Sequence, residues 1–239
     1  MRLTTILCLL FVLFSCGNGE GTSSSKKVEN TSNKEVTQNQ ESSATKHSNL
    51  TYNLGEDYQL LATPYTTESP KHVIVYEFFG YTCPHCFHFE PFMDKWLAGK
   101  KDYAKLQRVP LNFNPSWSIF QQAYLTAEVM GLVDESHIKL FEALHEEHKR
   151  FNTIDQLAQW YAENTSVDKE AFLSTAESFI LDSKLRQADK MGFKMQVTST
   201  PTVVVNGKYK VSTKIRNRDE VINVIRFLVK KEAKEMGLN

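Results

Sequence analysis

Large apolar side chains are almost absent from Gly17 to about Leu50, and from Tyr52 onward they return in two rhythms. The run HVIVYEFFGY (72–81) is apolar without alternation and bounded by Pro70 and by Thr82-Cys83-Pro84, which predicts a strand buried on both faces. A helix is expected next, with Thr82 as N-cap, Pro84 in the first turn, a kink at Pro91, and Gly99 as the stop after Trp96-Leu97. KLQRVPLNF (105–113) reads as a short strand. From Asn114 to about Met195 the patterns turn helical. Asn114-Pro115 opens a helix that Gly131 closes, DESHIKLFEALHEEHKR puts Ile138, Leu140, Phe141 and Leu144 on one face, and Thr153 and Asp168 serve as N-caps for two more. Strand character resumes in PTVVVNGKYKV (201–211), where Asn206-Gly207 between apolar runs signals a hairpin. A last helix carries a capping pair, Asn217 with Glu220, and an apolar stripe of Val221, Ile225 and Leu228. The order is strand, CxxC helix, strand, helical block, hairpin, helix, an α/β pattern without internal repeat.

The apolar share of 41% in 239 residues supports a real core, and 28 cationic against 28 anionic side chains favour neither nucleic acid nor an anionic membrane as partner. The N-terminus, MRLTTILCLLFVLFSCGNGE, has Arg2 and then an apolar run too short to span a bilayer, the layout of a secretory signal. Leu13-Phe14-Ser15-Cys16 resembles a bacterial lipobox, with Phe14 bulkier than usual; it implies a signal at 1–15 and lipidation of Cys16. A plain cleaved signal and a short uncleaved anchor are the alternatives, and each takes the chain out of the cytoplasm. Loss of residues 1–15 removes Arg2 and leaves one more anion than cations. Residues 16–50, rich in Ser, Thr, Asn, Gln, Glu and Lys, cannot bury enough surface to offset their entropy, so they are expected to form a disordered tether. As a flexible coil it spans roughly 30 Å, enough to hold a domain clear of a membrane.

Of four cysteines, Cys8 and Cys16 fall in the N-terminal segment, so the folded body owns one pair, Cys83 and Cys86. Zinc needs four ligands; no other cysteine is at hand, His88 stands alone, and His145 with His148 has only i, i+3 spacing. Covalent haem attachment needs histidine after the second cysteine, where this chain has Phe87. A structural disulfide across so small a loop would be a weak staple. A redox pair at a helix start is better motivated, because unpaired N–H groups favour a thiolate at Cys83 and make it a good leaving group. Pro84 sets the turn, and His85 offers an N–H or a positive charge to the sulfur, or is merely an exposed histidine. Stabilising the reduced form makes the disulfide more oxidising, so Cys83 is expected to be attacked by substrate thiols and Cys86 to resolve.

YEFFGYTCPHC, TPTVVVNGKY and the order of elements resemble the DsbA group of thiol:disulfide oxidoreductases, members of the thioredoxin superfamily, from Tyr52 to the C-terminus. The resemblance implies a thioredoxin-like fold at 51–113 and 196–239 with an inserted helical domain at 114–195. Low-pKa cysteines and oxidising potentials are familiar properties of this family, so neither is a deduction from these residues. By resemblance, Thr200-Pro201 matches the family's cis-proline, whose loop faces the cysteines and presents backbone to substrate; many members carry valine where this chain has Thr200. A trans proline at a strand start is the alternative. Glu77 matches the family's buried acid, read as a proton acceptor for the Cys86 thiol or as an ion-pair partner of Arg108. Glu90 falls on a second acid or is an exposed helix glutamate, and Phe87, Phe89, Phe92 and Trp96 read as core packing rather than a peptide groove.

The expected activity is protein disulfide oxidation of unfolded or partly folded exported proteins, without metal or organic cofactor. A membrane reoxidant of the DsbB type follows by the same resemblance; a monomeric state is expected, and the lipobox-like stretch at Cys16 implies a periplasm-facing lipid anchor. Gly17 after Cys16 favours the outer membrane over the inner. A reductase or isomerase on the same fold and a non-enzymatic surface lipoprotein are the rival readings.

Overall fold

The computed structural model describes residues 51–67, 69–215 and 217–238; the expected signal at 1–15, Cys16 and the tether at 16–50 lie outside them. Strand β2 (Val73–Phe79) runs through the middle of the protein and all seven of its residues are buried. It is flanked by β3 (Ala104–Pro110), which is parallel, and by β4 (Thr202–Val205), which is antiparallel. With β5 (Tyr209–Val211) and β1 (Tyr58–Leu60) the sheet order is β1-β5-β4-β2-β3. Asn206 and Gly207, both at positive φ, turn β4 into β5, and a side chain at Gly207 would collide with the Tyr65 carbonyl.

Alternation along β2 feeds two cores. Val73 and Val75 pack with Met93 and Trp96 of α2 (Glu90–Gly99) and with Ile225 and Leu228 of α8 (Arg218–Glu235). Ile74, Tyr76 and Phe78 join the core that also holds Leu140, Phe141, Tyr161 and Leu181. Each fully buried side chain of this size contributes about 1.5–3 kcal/mol.

All elements described between β3 and β4 are helical: a 3₁₀ turn (Pro115–Trp117), α3 (Ser118–Val129), α4 (Val133–His145), α5 (Ile154–Asn164), α6 (Lys169–Ala176) and α7 (Phe179–Lys194). Asn114, Thr153, Asp168 and Asn217 accept first-turn N–H groups, as their sequence positions predict. This is a thioredoxin-like α/β fold with a helical insertion. Among the described residues no helix is long and apolar enough to cross a membrane.

Two local expectations fail. The helix expected from Pro84 to Gly99 is two, α1 (Pro84–Phe87) and α2, separated at His88-Phe89. Pro91 does not kink a continuous helix. It has no N–H for the Phe87 carbonyl, so the first helix ends there and Pro91 sits in the first turn of the second. Thr82 is not the N-cap either. Cys83, held extended by the following proline (φ −90°, ψ 110°), is the cap, and buried Thr82 Oγ1 has no hydrogen-bond partner among the described residues.

Candidate active site

The buried strand β2 ends at Phe79, and Gly80 follows with Trp117 packed where a Cβ would stand. Cys83 N–H bonds back to Gly80 O at 3.1 Å, and Cys83 O receives the N–H groups of Cys86 and Phe87 at 3.0 and 3.2 Å. The two cysteines are free thiols in unlike settings, Cys83 7% exposed and Cys86 fully buried. The Thr200–Pro201 peptide is cis, and the Cys83 thiol donates to Thr200 O at 3.6 Å. Thr202 Oγ1 closes that loop on Ser199 O at 2.8 Å.

These contacts separate the two thiols chemically. The Cys86 thiol, outweighing the opposing effect of burial, lowers Cys83 to about 5, with help from the Thr200 side chain and the backbone of Cys86 and His85. Burial, followed by the hydrogen bond with Cys83 and then its negative charge, drives Cys86 far above the ordinary thiol range. His85 reaches the sulfur through its backbone, while its side chain is exposed.

Glu77, on the strand that leads into the CxxC turn, belongs to a polar chain of buried and part-buried groups. Arg108 on β3 donates Nε to Glu77 Oε2 at 3.1 Å and Nη2 to Glu90 Oε2 at 2.7 Å. Glu90, fully inside rather than on an exposed helix face, lies 3.2 Å from His137 Nε2, and Tyr81 Oη is 2.9 Å from His137 Nδ1. A Tyr81 O–H donated to Nδ1 leaves the proton on Nε2, which stands 3.2 Å from Glu90 Oε1 without a hydrogen bond formed between them. Burial opposes ionisation of Glu90, but His137 and Arg108 outweigh it and hold the carboxyl below its usual range. Burial and then the Glu90 charge raise Glu77 to about 8 despite Arg108. Glu77 is therefore paired with Arg108, the ion-pair alternative of its sequence position, with its carboxyl raised by burial. Burial keeps His137 neutral among the rings of Phe79, Tyr81, Tyr124 and Phe141.

Sequence patterning placed Leu140 and Phe141 in the core but passed over His137 on the same face, one turn before Phe141. That register was the signal available. His145, weighed only as a zinc ligand, instead stacks on Phe87 (5.2 Å, 8°) with Nε2 2.7 Å from Tyr81 O. Phe89 and Trp96 are buried, though Phe89 also borders a cavity beside Pro201. Among the described residues no cluster of three or more His, Cys, Asp or Glu is assembled that could hold a metal.

A thioredoxin family model matches residues 66–223. The thiol:disulfide interchange protein DsbA of Pseudomonas aeruginosa is 36% identical over 182 residues, spanning 76% of this chain and 86% of its own; the DsbA of Azotobacter vinelandii is 35% identical over 157 residues, 66% and 73% of the two chains. The crystal structure of the Pseudomonas aeruginosa DsbA superposes with a TM-score of 0.73 at 35% identity, covering 78% of this chain and 97% of that one. The oxidoreductase NmDsbA1 of Neisseria meningitidis follows at 0.67 and 27%, covering 77% and 95%. With two buried free cysteines, one of them against a cis-proline loop, and similarity over 73–97% of the length of these relatives, the chain belongs to the DsbA family of thiol:disulfide oxidoreductases.

Proposed function

We propose that this chain is an exported disulfide oxidase that passes its Cys83–Cys86 bond to client proteins. The observation that carries this reading is the asymmetry of the pair: Cys83 is lowered to about 5 beside the Thr200 carbonyl, while buried Cys86 is raised far above the thiol range. A client thiolate attacks Cys83 Sγ, the disulfide breaks, and Cys86 leaves with the electron pair and takes a proton. Glu77, protonated up to about pH 8, supplies that proton. A second client thiolate then attacks the client sulfur of the mixed disulfide, forming the client disulfide and releasing Cys83 as a thiolate. The client has lost two electrons and the pair has gained them. When a membrane reoxidant of the DsbB type takes them back, Cys86 attacks the mixed disulfide at Cys83 and Glu77 recovers the proton. Pro84 sets the turn, His85 tunes Cys83, and the Thr200-Pro201 loop presents backbone to the client.

This reading is completed by the chain's N-terminal fifth and its domain arrangement. Residues 1–15 act as a lipoprotein-type signal, Cys16 carries the lipid, and 16–50 tether a thioredoxin-like domain (51–113 and 196–239) with its helical insertion (114–195) at the periplasmic face of a membrane, the outer one favoured by Gly17. The protein works as a monomer without metal or organic cofactor. The decisive experiment combines the redox potential, the thiol state of Cys83 and Cys86 trapped in cells, and oxidation of a dithiol peptide with Cys83→Ser as control. An oxidising potential, a mostly oxidised pair and loss of activity in the variant are expected. A mostly reduced pair sinks the oxidase reading, and unchanged activity in Cys83→Ser excludes the mechanism.

A further inference from the structure

A cavity of about 310 Å³ opens beside the cis-proline, lined among others by Phe89, Thr200, Pro201, Val203, Arg218 and Val221. Among the described residues its lining is apolar side chains, hydroxyls and the His85 imidazole, with one permanent charge, Arg218, and no aspartate or glutamate. Arg218 is half-buried and has no ion-pair or hydrogen-bond partner among the described residues, although carboxylates stand next to it in sequence. Those are engaged elsewhere: Asp219 lies 3.9 Å from Lys95, and Glu220 Oε2 accepts from Asn223 Nδ2 at 3.5 Å.

A client joined to Cys83 is held against Thr200, which also lines this cavity, so the residues flanking the client cysteine are the ones within its reach. In the mixed disulfide the Cys83 sulfur carries no charge, which leaves Arg218 as the dominant charge of the cleft. A partly desolvated cation among apolar walls attracts a carboxylate more strongly than one in open water, and it repels an ammonium group.

We propose that Arg218 forms, with the cavity beside Pro201, a specificity subsite for an acidic side chain close to the client's reactive cysteine. The proposal rests on the oxidase reading above and names the class of client that reading leaves open. The test uses the oxidised full chain and three dithiol peptides that differ only in a glutamate, glutamine or lysine beside the cysteine. At low salt the kcat/KM for the glutamate peptide exceeds that for the lysine peptide by about fivefold, the scale of one partly exposed charge contact. High salt shrinks the ratio in the wild-type protein, R218Q brings it close to one, and R218K retains most of it. A wild-type ratio near one, or a ratio that survives both high salt and R218Q, overturns the subsite while the oxidase stands. Failure to oxidise any of the three peptides overturns the oxidase reading and the subsite with it.

Discussion

Cys83 and Cys86 share one helical turn but belong to different regions, and the contrast explains how one pair can both react and store a proton. On the Cys83 side the chain offers backbone N–H groups, the Thr200 loop and a cavity that Arg218 borders. These are polar groups at the edge of water, suited to stabilising a thiolate and meeting a client. Cys86 itself is buried, and in the interior five residues from five segments, Tyr81, His137, Glu90, the part-buried Arg108 and Glu77, are tied by contacts of 2.7–3.2 Å. There, two carboxyls share one arginine, so a single negative charge is neutralised and the second carboxyl keeps its proton. The outer region sets reactivity, and the inner one sets where the proton resides.

The contrast can be broken most severely at Arg108. Arg108→Met leaves two buried carboxyls without their cation and is expected to cost about 3–5 kcal/mol, read by denaturant unfolding; a loss under about 1 kcal/mol would show that the buried charges do not depend on it. Glu77→Gln keeps the shape but removes the proton. Exchange at neutral pH should slow by about a hundredfold, the low end of general acid–base effects, and the pH–rate profile should lose its inflection near 8. An unchanged profile would remove Glu77 from the proton path.

His137→Phe tests the link to the helical insertion. Without its Nε2–H the charge on Glu90 is no longer favoured, the proton moves towards Glu90, and Glu77 is relieved of a repelling neighbour. The inflection near 8 should then fall by about one pH unit, which a merely structural role would not produce. The smallest effect belongs to the outer region. The Thr200 side chain lowers Cys83, so Thr200→Val should raise that thiol by up to about one unit and make the pair less oxidising by about 30 mV.

The Cys83 value also fixes the sign of two pH dependences. Its folded pKa is depressed, so its thiolate stabilises the reduced protein in full above the unfolded value of about 8.5, and that stability is lost as pH falls through about 5. Over the same window reduction takes up one proton for two electrons, so the potential should fall by about 30 mV per pH unit above pH 5 and about twice that below. A single slope across pH 5, measured by equilibration with a thiol buffer, contradicts the thiolate assignment.

Much of this was legible in the residues themselves. The unbroken apolar run at 72–81, the spacing of Cys83 and Cys86, the Asn206-Gly207 turn and the caps at Asn114, Thr153, Asp168 and Asn217 are local signals, decided by backbone sterics and side-chain period within a few residues. Even the misplaced cap and kink had local causes, the reach of Pro84 and of Pro91 on the residues before them. Glu77 could be singled out as an acid in an apolar strand, but its pKa could not, because that depends on Arg108 thirty-one positions away and on Glu90 beyond it. His137 looked like one more helix residue until packing enclosed it in aromatic rings and set it 3.2 Å from Glu90. Arg218 gained a role only when the fold brought the start of α8 beside Pro201. Local order is written in short-range preference, whereas desolvation and charge coupling arise between segments far apart in sequence. The CxxC chemistry could thus be read in the chain, but its tuning came from the tertiary contacts that bury and pair those charges.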